Sequence, residues 1–201
     1  MKENSYPGKL IVIEGLDGSG HSTQAGLLKN YLQKIGKKVI LTREPTLDSV
    51  AGRKIRQVLD KKIKISAKEL QRLFAKDRQE HLKNKVIPAL KADKIVVSDR
   101  YFFSSFAYGV SDGLDLNWLI KINDKFLLPD DSFILKVRPK ICLKRIEGRG
   151  SAKTLFEKEK KLAEVWQTYK ILPKMFKNVK IINGEQLIES VFKNIRKSIR
   201  I

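Results

Sequence analysis

The sequence predicts an α/β fold: a five-stranded parallel sheet with helices on both faces. Short apolar runs rich in β-branched residues recur at 10–13, 37–42, 94–100, 133–137 and 178–183, the length and composition of buried strands. Between them lie segments whose apolar residues return every three or four positions, as on one face of a helix. Strands that alternate with helices in this way build a parallel sheet, with ligands at the carboxyl ends of its strands.

The first run, Leu10 to Ile13, breaks into a loop holding Gly15, Gly18 and Gly20. Ser22 and Thr23 then open a helix with Ala25, Leu28, Leu32 and Ile35 on one face. Strand, glycine loop and helix in this order form a phosphate-binding loop. The glycines let consecutive N–H groups point at one anion, and the helix N-terminus adds the positive end of its dipole. The full pattern is G-x-x-x-x-G-K-[ST], in which the lysine reaches the β/γ-phosphates and the hydroxyl meets Mg²⁺. Gly15, Gly20 and Ser22 fit, and His21 stands at the lysine position. The loop, Gly15, Leu16, Asp17, Gly18, Ser19, Gly20, His21, Ser22 and Thr23, is therefore the candidate ATP-binding segment of a three-layer P-loop fold.

Gly36 stops the first helix, and 37–42 is the second strand. After TREPT, a helix spans 49–59 with Val50, Ile55, Val58 and Leu59 on its apolar side. Ser66 and Glu69 form a capping box that opens a helix reaching about Ala92, with Pro88 bending its end. The third strand stops abruptly in Ser98, Asp99 and Arg100. Residues 101–126 read as helical with a break at 111–113, and Pro129 with Asp130 and Asp131 turns the chain into the fourth strand. Pro139 suits a helix start, and that helix ends near Glu147 in the basic loop Gly148-Arg149-Gly150-Ser151. A helix over 155–172 is expected to stop at Pro173, and a final amphipathic helix follows the fifth strand and the Asn183–Gly184 turn. With no repeat or linker, the 201 residues read as one domain.

Net charge is +20, with 42% hydrophobic and 32% charged residues. That balance attracts polyanions and equally suits an enzyme whose substrates are both phosphorylated. The lysines are scattered, and no basic strip is interleaved with aromatics, so nucleic acid is not the expected partner. No apolar run reaches the length of a membrane span. The single Cys142 cannot form an internal disulfide, which fits a reducing cytoplasm, and its apolar neighbours suggest a buried structural thiol.

IEGLDGSG-x-ST, TREP, FAKDRQEH, SDRYFFSSFAY and LPD occur in this order and spacing. Together they resemble the thymidylate (dTMP) kinase family, closely over residues 9–147 and in outline beyond. The resemblance implies a P-loop nucleoside monophosphate kinase that moves the γ-phosphoryl of ATP onto dTMP with Mg²⁺, as a homodimer. By resemblance, Ser22 and Asp99 attend the metal, and Arg100 grips the acceptor phosphate. Arg56 points to the acceptor site, Phe74 stacks on the base, and Arg78 binds the base edge. Asp17 meets the sugar hydroxyl; Glu44, Pro45, Ser105 and Tyr108 line the same site. Gly109 stands where many members carry a glutamine that reads thymine. A lid over about 146–156 closes on the donor phosphates and supplies an arginine, Arg149 first, with Arg145 or Lys153 behind it.

Each assignment has a plainer alternative. Arg56 is equally a solvated helix arginine, Phe74 a core residue, Asp99 a strand-end turn residue, and the lid a solvated basic loop. His81 reads as an exposed or half-packed helix residue without a catalytic part, and Trp118 and Trp166 as core or dimer contacts. His21 is expected to replace the lysine in part when protonated, with the lid arginines supplying further charge. Three other functions stay open: a kinase for another deoxynucleoside monophosphate, which Gly109 leaves possible; a nucleotide-binding paralogue that hardly catalyses, which His21 favours; and a nucleic-acid binder, which only the charge favours.

Overall fold

In the computed structural model, which describes residues 1–147 and 155–199, five parallel strands lie in the order β2-β3-β1-β4-β5. They are β1 (Leu10–Gly15), β2 (Val39–Arg43), β3 (Ile95–Asp99), β4 (Asp131–Lys136) and β5 (Val179–Asn183). Around them pack α1 (His21–Lys34), α2 (Val50–Leu59), α3 (Ala67–His81), α4 (Ile87–Lys91), α5 (Phe102–Ser111), α6 (Leu116–Asn123), α7 (Pro139–Glu147), α8 (Leu155–Met175) and α9 (Ile188–Ser198).

Successive side chains of a strand point to opposite faces, and the central strand shows both faces filled. Leu10 and Val12 of β1 join Phe102, Phe103 and Phe106 of α5 and Val165, Tyr169 and Leu172 of α8 in one core. Ile11 and Ile13 join Ala25, Leu28 and Leu32 of α1 and Val191 and Ile195 of α9 in the other. All six residues of β1 are buried. This is why the run carries no polar alternation until Glu14. The strand is anchored at its start by Asp130, which accepts from the Leu10 N–H at 2.7 Å and from Asn4 at 2.8 Å.

Three element boundaries differ from the sequence reading. The long helix expected to reach Ala92 ends at His81, and a π-helical turn, Leu82–Val86, joins it to α4. Pro88 cannot donate to an i−4 carbonyl, and its ring crowds that carbonyl. Widening the turn before it lets the chain continue instead of breaking. Conversely, α8 runs through Pro173 to Met175. There the Phe176 N–H still bonds the Leu172 carbonyl at 2.9 Å, and Leu172 is fully buried, so packing holds the last turn. Asp131 belongs to β4 rather than to the preceding turn. Ser66 does cap α3, accepting from the Glu69 N–H at 3.2 Å.

Candidate active site

The carboxyl ends of β1 and β3 meet at the glycine loop, as the topology requires. Gly20, at φ +95°, is the N-cap of α1. Gly18 lies at φ +81°, and a Cβ there would stand 2.4 Å from the Cys142 carbonyl oxygen. A side chain would push the loop off α7. The loop opens on a cavity of about 1140 Å³. Asp17, Gly18, Ser19, Gly20, His21, Ser22, Thr23 and Tyr108 all line it. Gly15 ends β1 and Leu16 is fully buried in the core, so these two shape the loop from behind. Arg145 also borders the cavity, donating to the Ser19 carbonyl at 3.2 Å and the Gly184 carbonyl at 3.3 Å. Arg149 and Lys153, with most of the expected lid, lie outside the described residues. Cys142 is buried behind the loop, and burial pushes its thiol up to about 12.

Asp99 forms the hinge between this cavity and the next cluster. One carboxylate oxygen accepts from the Ser22 hydroxyl at 2.6 Å, and the other lies 2.5 Å from His21 Nδ1. Burial raises the Asp99 pKa, but the bonds from His21 and Ser22 and the Arg100 charge outweigh it and hold the group below its ordinary value. Asp99 and Ser22 present hard oxygens side by side, the donor set Mg²⁺ takes together with substrate phosphates. Among the described residues no cluster of three or more His, Cys, Asp or Glu could hold a metal.

Arg100 follows at φ +72°, a left-handed backbone that turns its side chain back over the loop. Its guanidinium donates to Ser104 Oγ at 2.8 Å, Asp17 Oδ1 at 2.7 Å and His21 Nε2 at 3.0 Å. The plane sits 5.3 Å from the centre of the Tyr108 ring. With Nδ1 facing a carboxylate and Nε2 facing a guanidinium, the imidazole of His21 is the neutral Nδ1–H tautomer. Burial and the Arg100 charge hold its pKa below the ordinary histidine value, against the pull of Asp99. A cationic His21 would here face another cation, the guanidinium of Arg100.

Deeper in the molecule, Arg78 is almost wholly buried and joins Glu44 at 2.7 Å, Asn123 at 2.5 Å and Ser105 at 3.2 Å. Glu44, Arg78 and Ser105 are thus brought together as expected, with Pro45 half-buried beside them. Contrary to the sequence reading, His81 is buried, bonded to Thr42 at 2.6 Å and Glu44 at 3.1 Å. Glu44 attracts it inward because a buried carboxylate needs more than one partner. Asp77 accepts from the Thr46 N–H, the Thr46 hydroxyl and the Ser49 hydroxyl at 2.8, 2.6 and 2.5 Å. One helix, α3, therefore pins the whole TREPT loop.

Phe74 is half-buried and belongs to neither apolar core. Arg56 is not drawn into the cluster: its side chain is 62% exposed and pairs with Asp60 one turn on. A Cβ on Gly109 would stand 2.8 Å from both methyls of Leu119, so this position packs against α6. Trp118 and Trp166 are half-buried against the first core.

Three participants had escaped the sequence reading. Glu14, fully buried, accepts from the Tyr101 N–H at 2.8 Å, the Ser104 hydroxyl at 2.5 Å and the Tyr169 hydroxyl at 3.0 Å. Burial pushes its carboxyl up to about 7, against the opposing pull of Arg100 and these bonds. Its signal was a lone charge ending an apolar strand. Arg43, inside the TREP motif, approaches Asp99 at 3.5 Å from the end of β2, and Lys61, at φ 59°, borders the cavity; Lys61, a single basic residue in a basic chain, had no signal.

The thymidylate kinase family profile matches residues 13–195. A probable thymidylate kinase of Pyrococcus horikoshii is 43% identical over 196 residues, covering 94% of each chain. One of Thermococcus gammatolerans is 42% identical over 199 residues, again with 94% of each covered. A thymidylate kinase of Caldicellulosiruptor saccharolyticus is 40% identical over 200 residues and 96% of both chains.

Proposed function

The chain belongs to the thymidylate kinase family, and we propose that it transfers the γ-phosphoryl group of ATP to dTMP, giving ADP and dTDP. The observation that carries this is the junction at Asp99 and Arg100. There the phosphate-binding loop, over a cavity of about 1140 Å³, meets Arg100, whose guanidinium bonds Asp17 and His21 of that loop.

Phosphoryl transfer asks a protein for alignment and for neutralisation of spread negative charge, with little covalent work. A phosphate oxygen of dTMP attacks the γ-phosphorus, and the bond to the β-bridging oxygen breaks, leaving ADP. The glycine loop and the α1 N-terminus would hold the donor phosphates. Arg100 would grip the acceptor phosphate through its planar fork. Phe74 would stack on the base and Asp17 would meet the sugar hydroxyl. Arg78 would act from beneath, fixing Glu44 and Ser105. Ser22 and Asp99 would hold Mg²⁺ against the phosphates; when bound, the ion neutralises the β/γ oxygens. The reading takes the chain as one kinase domain that pairs as a homodimer, with Arg149 or Arg145 completing the donor side.

One observation favours a second reading, a nucleotide-binding paralogue with little turnover: at the lysine position, both ring nitrogens of His21 are engaged by Asp99 and Arg100. A coupled ADP-release assay with ATP, Mg²⁺ and a panel of monophosphates decides between them. Turnover with dTMP above dUMP and dCMP is expected. ATP binding without ADP release for any monophosphate would favour the paralogue.

A further inference from the structure

His21 occupies the position from which the usual lysine serves the donor, yet both of its ring nitrogens are committed elsewhere. Nδ1 lies 2.5 Å from Asp99 and Nε2 3.0 Å from Arg100 Nη2. Only 12% of the side chain is exposed. In the Nδ1–H tautomer the ring offers no free N–H to a phosphate. What it does offer is a rigid link, about one imidazole wide, between a carboxylate and the guanidinium of the next residue in the chain.

That link fills a gap in how Arg100 is held. Ser104 fixes one Nη, and is itself fixed by Glu14 at 2.5 Å and Tyr169 at 2.9 Å. The other Nη is shared by Asp17 and His21. Asp17 is 60% exposed and lies among the loop glycines. His21, from the first turn of α1, is the less exposed acceptor on that side. Without it, the second Nη would be left to the exposed carboxylate of Asp17, with Tyr108 beside the guanidinium.

We propose that His21 is a positioning residue for the acceptor half of the site: its imidazole, joining Asp99 to Arg100, sets the arginine's grip on the dTMP phosphate from within the ATP loop. This rests on the reading of Arg100 as the acceptor-phosphate ligand. It assigns the donor loop of this chain a role on the opposite substrate. The α1 dipole and the loop N–H groups remain for ATP.

The test is calorimetric binding of dTMP, thymidine and an unhydrolysed ATP analogue with Mg²⁺ to wild type, His21→Ala, His21→Gln, Arg100→Ala and the double variant, each checked for an unchanged melting transition. A misaligned charge-assisted contact loses about tenfold in affinity. His21→Ala is therefore expected to weaken dTMP about tenfold, leaving thymidine and the ATP analogue within about twofold. His21→Gln, whose carboxamide oxygen can accept from Arg100, should recover most of the loss. In the Arg100→Ala background the His21 substitution should add nothing, since its effect passes through that arginine. Weakened ATP-analogue binding with dTMP unaffected would overturn the proposal and return His21 to the donor. So would an equal loss for thymidine and dTMP, or full additivity with Arg100→Ala. If dTMP binds wild type no better than thymidine, the assignment of Arg100 to the acceptor phosphate is what fails.

Discussion

The two halves of the site are built differently. On the acceptor side, Glu44, Asp77, Arg78, His81, Ser105 and Asn123 are all buried and bonded to one another or to the TREPT loop. On the donor side lies an open cavity, bordered by glycines and by exposed lysines such as Lys61 and Lys158. A buried polar network is rigid only when every member is satisfied, and it then holds one geometry at high cost to any member's loss. Exposed lysines around an open cavity carry long, rotatable side chains that a bound anion would order. On the proposed assignment this is a division of labour: the acceptor half would be preformed, and the donor half would be assembled by its nucleotide.

The comparison breaks most visibly at Arg78. Arg78→Ala leaves Glu44 buried beside His81 with its main partner gone, and breaking such a pair costs about 3–5 kcal/mol. Thermal unfolding should show a large fall in stability, with dTMP binding lost as well. A loss below about 1 kcal/mol, the level of a surface pair, would mean the network is not preformed.

Next in size is Arg100, where the halves meet. Arg100→Ala should lower kcat/KM for dTMP by about 2–4 kcal/mol, roughly 30- to 1,000-fold, with the fold intact. An unchanged kcat/KM in folded protein would remove it from the site.

Glu14 sharpens the comparison through pH. Its carboxyl is raised from 4.5 to about 7 in the folded protein by burial. A raised carboxyl pKa means that the folded state holds a proton the unfolded chain has released. This contribution to stability is therefore complete below 4.5 and is lost as pH rises through about 7. Up to ~3 kcal/mol is at stake, at about 1.4 kcal/mol per unit. Wild type should fall in melting temperature relative to Glu14→Gln between about pH 5 and pH 8. Parallel profiles for the two proteins would show that Glu14 stays ionised.

The smallest effect is expected at Phe74. Phe74→Ala should weaken dTMP by about 1–2 kcal/mol through lost stacking, with ATP and stability little changed. Equal losses for both nucleotides would place Phe74 in the structural frame instead.

How much of this was legible in the sequence follows the same division. The strands, the glycine loop and the Asp99–Arg100 end of β3 were readable because each is a local pattern whose period or spacing carries its meaning. The network under the acceptor site was not. Asp77 and Thr46 are far apart in sequence, as are Arg78 and Asn123, and no spacing rule links them. His81 looked like a surface helix residue because only the return of Glu44 to α3 makes it a buried partner. Arg56, in turn, lies on α2 within one turn of Asp60, and that local partner held it outside. Proline illustrates the limit of local rules: Pro88 widened its helix and Pro173 was overridden by the packing of Leu172.

The most direct test of the division of labour is amide hydrogen exchange of the wild-type protein, free and with dTMP or an ATP analogue with Mg²⁺. The amides of 44–52 and α3 are expected to be already protected in the free protein and to slow by less than about threefold with dTMP. Those of 17–24 and 184–188 should slow by about tenfold or more with the ATP analogue. Fast exchange at 44–52 in the free protein, slowed only when dTMP binds, would contradict that division: the acceptor half would then be assembled by its ligand as well.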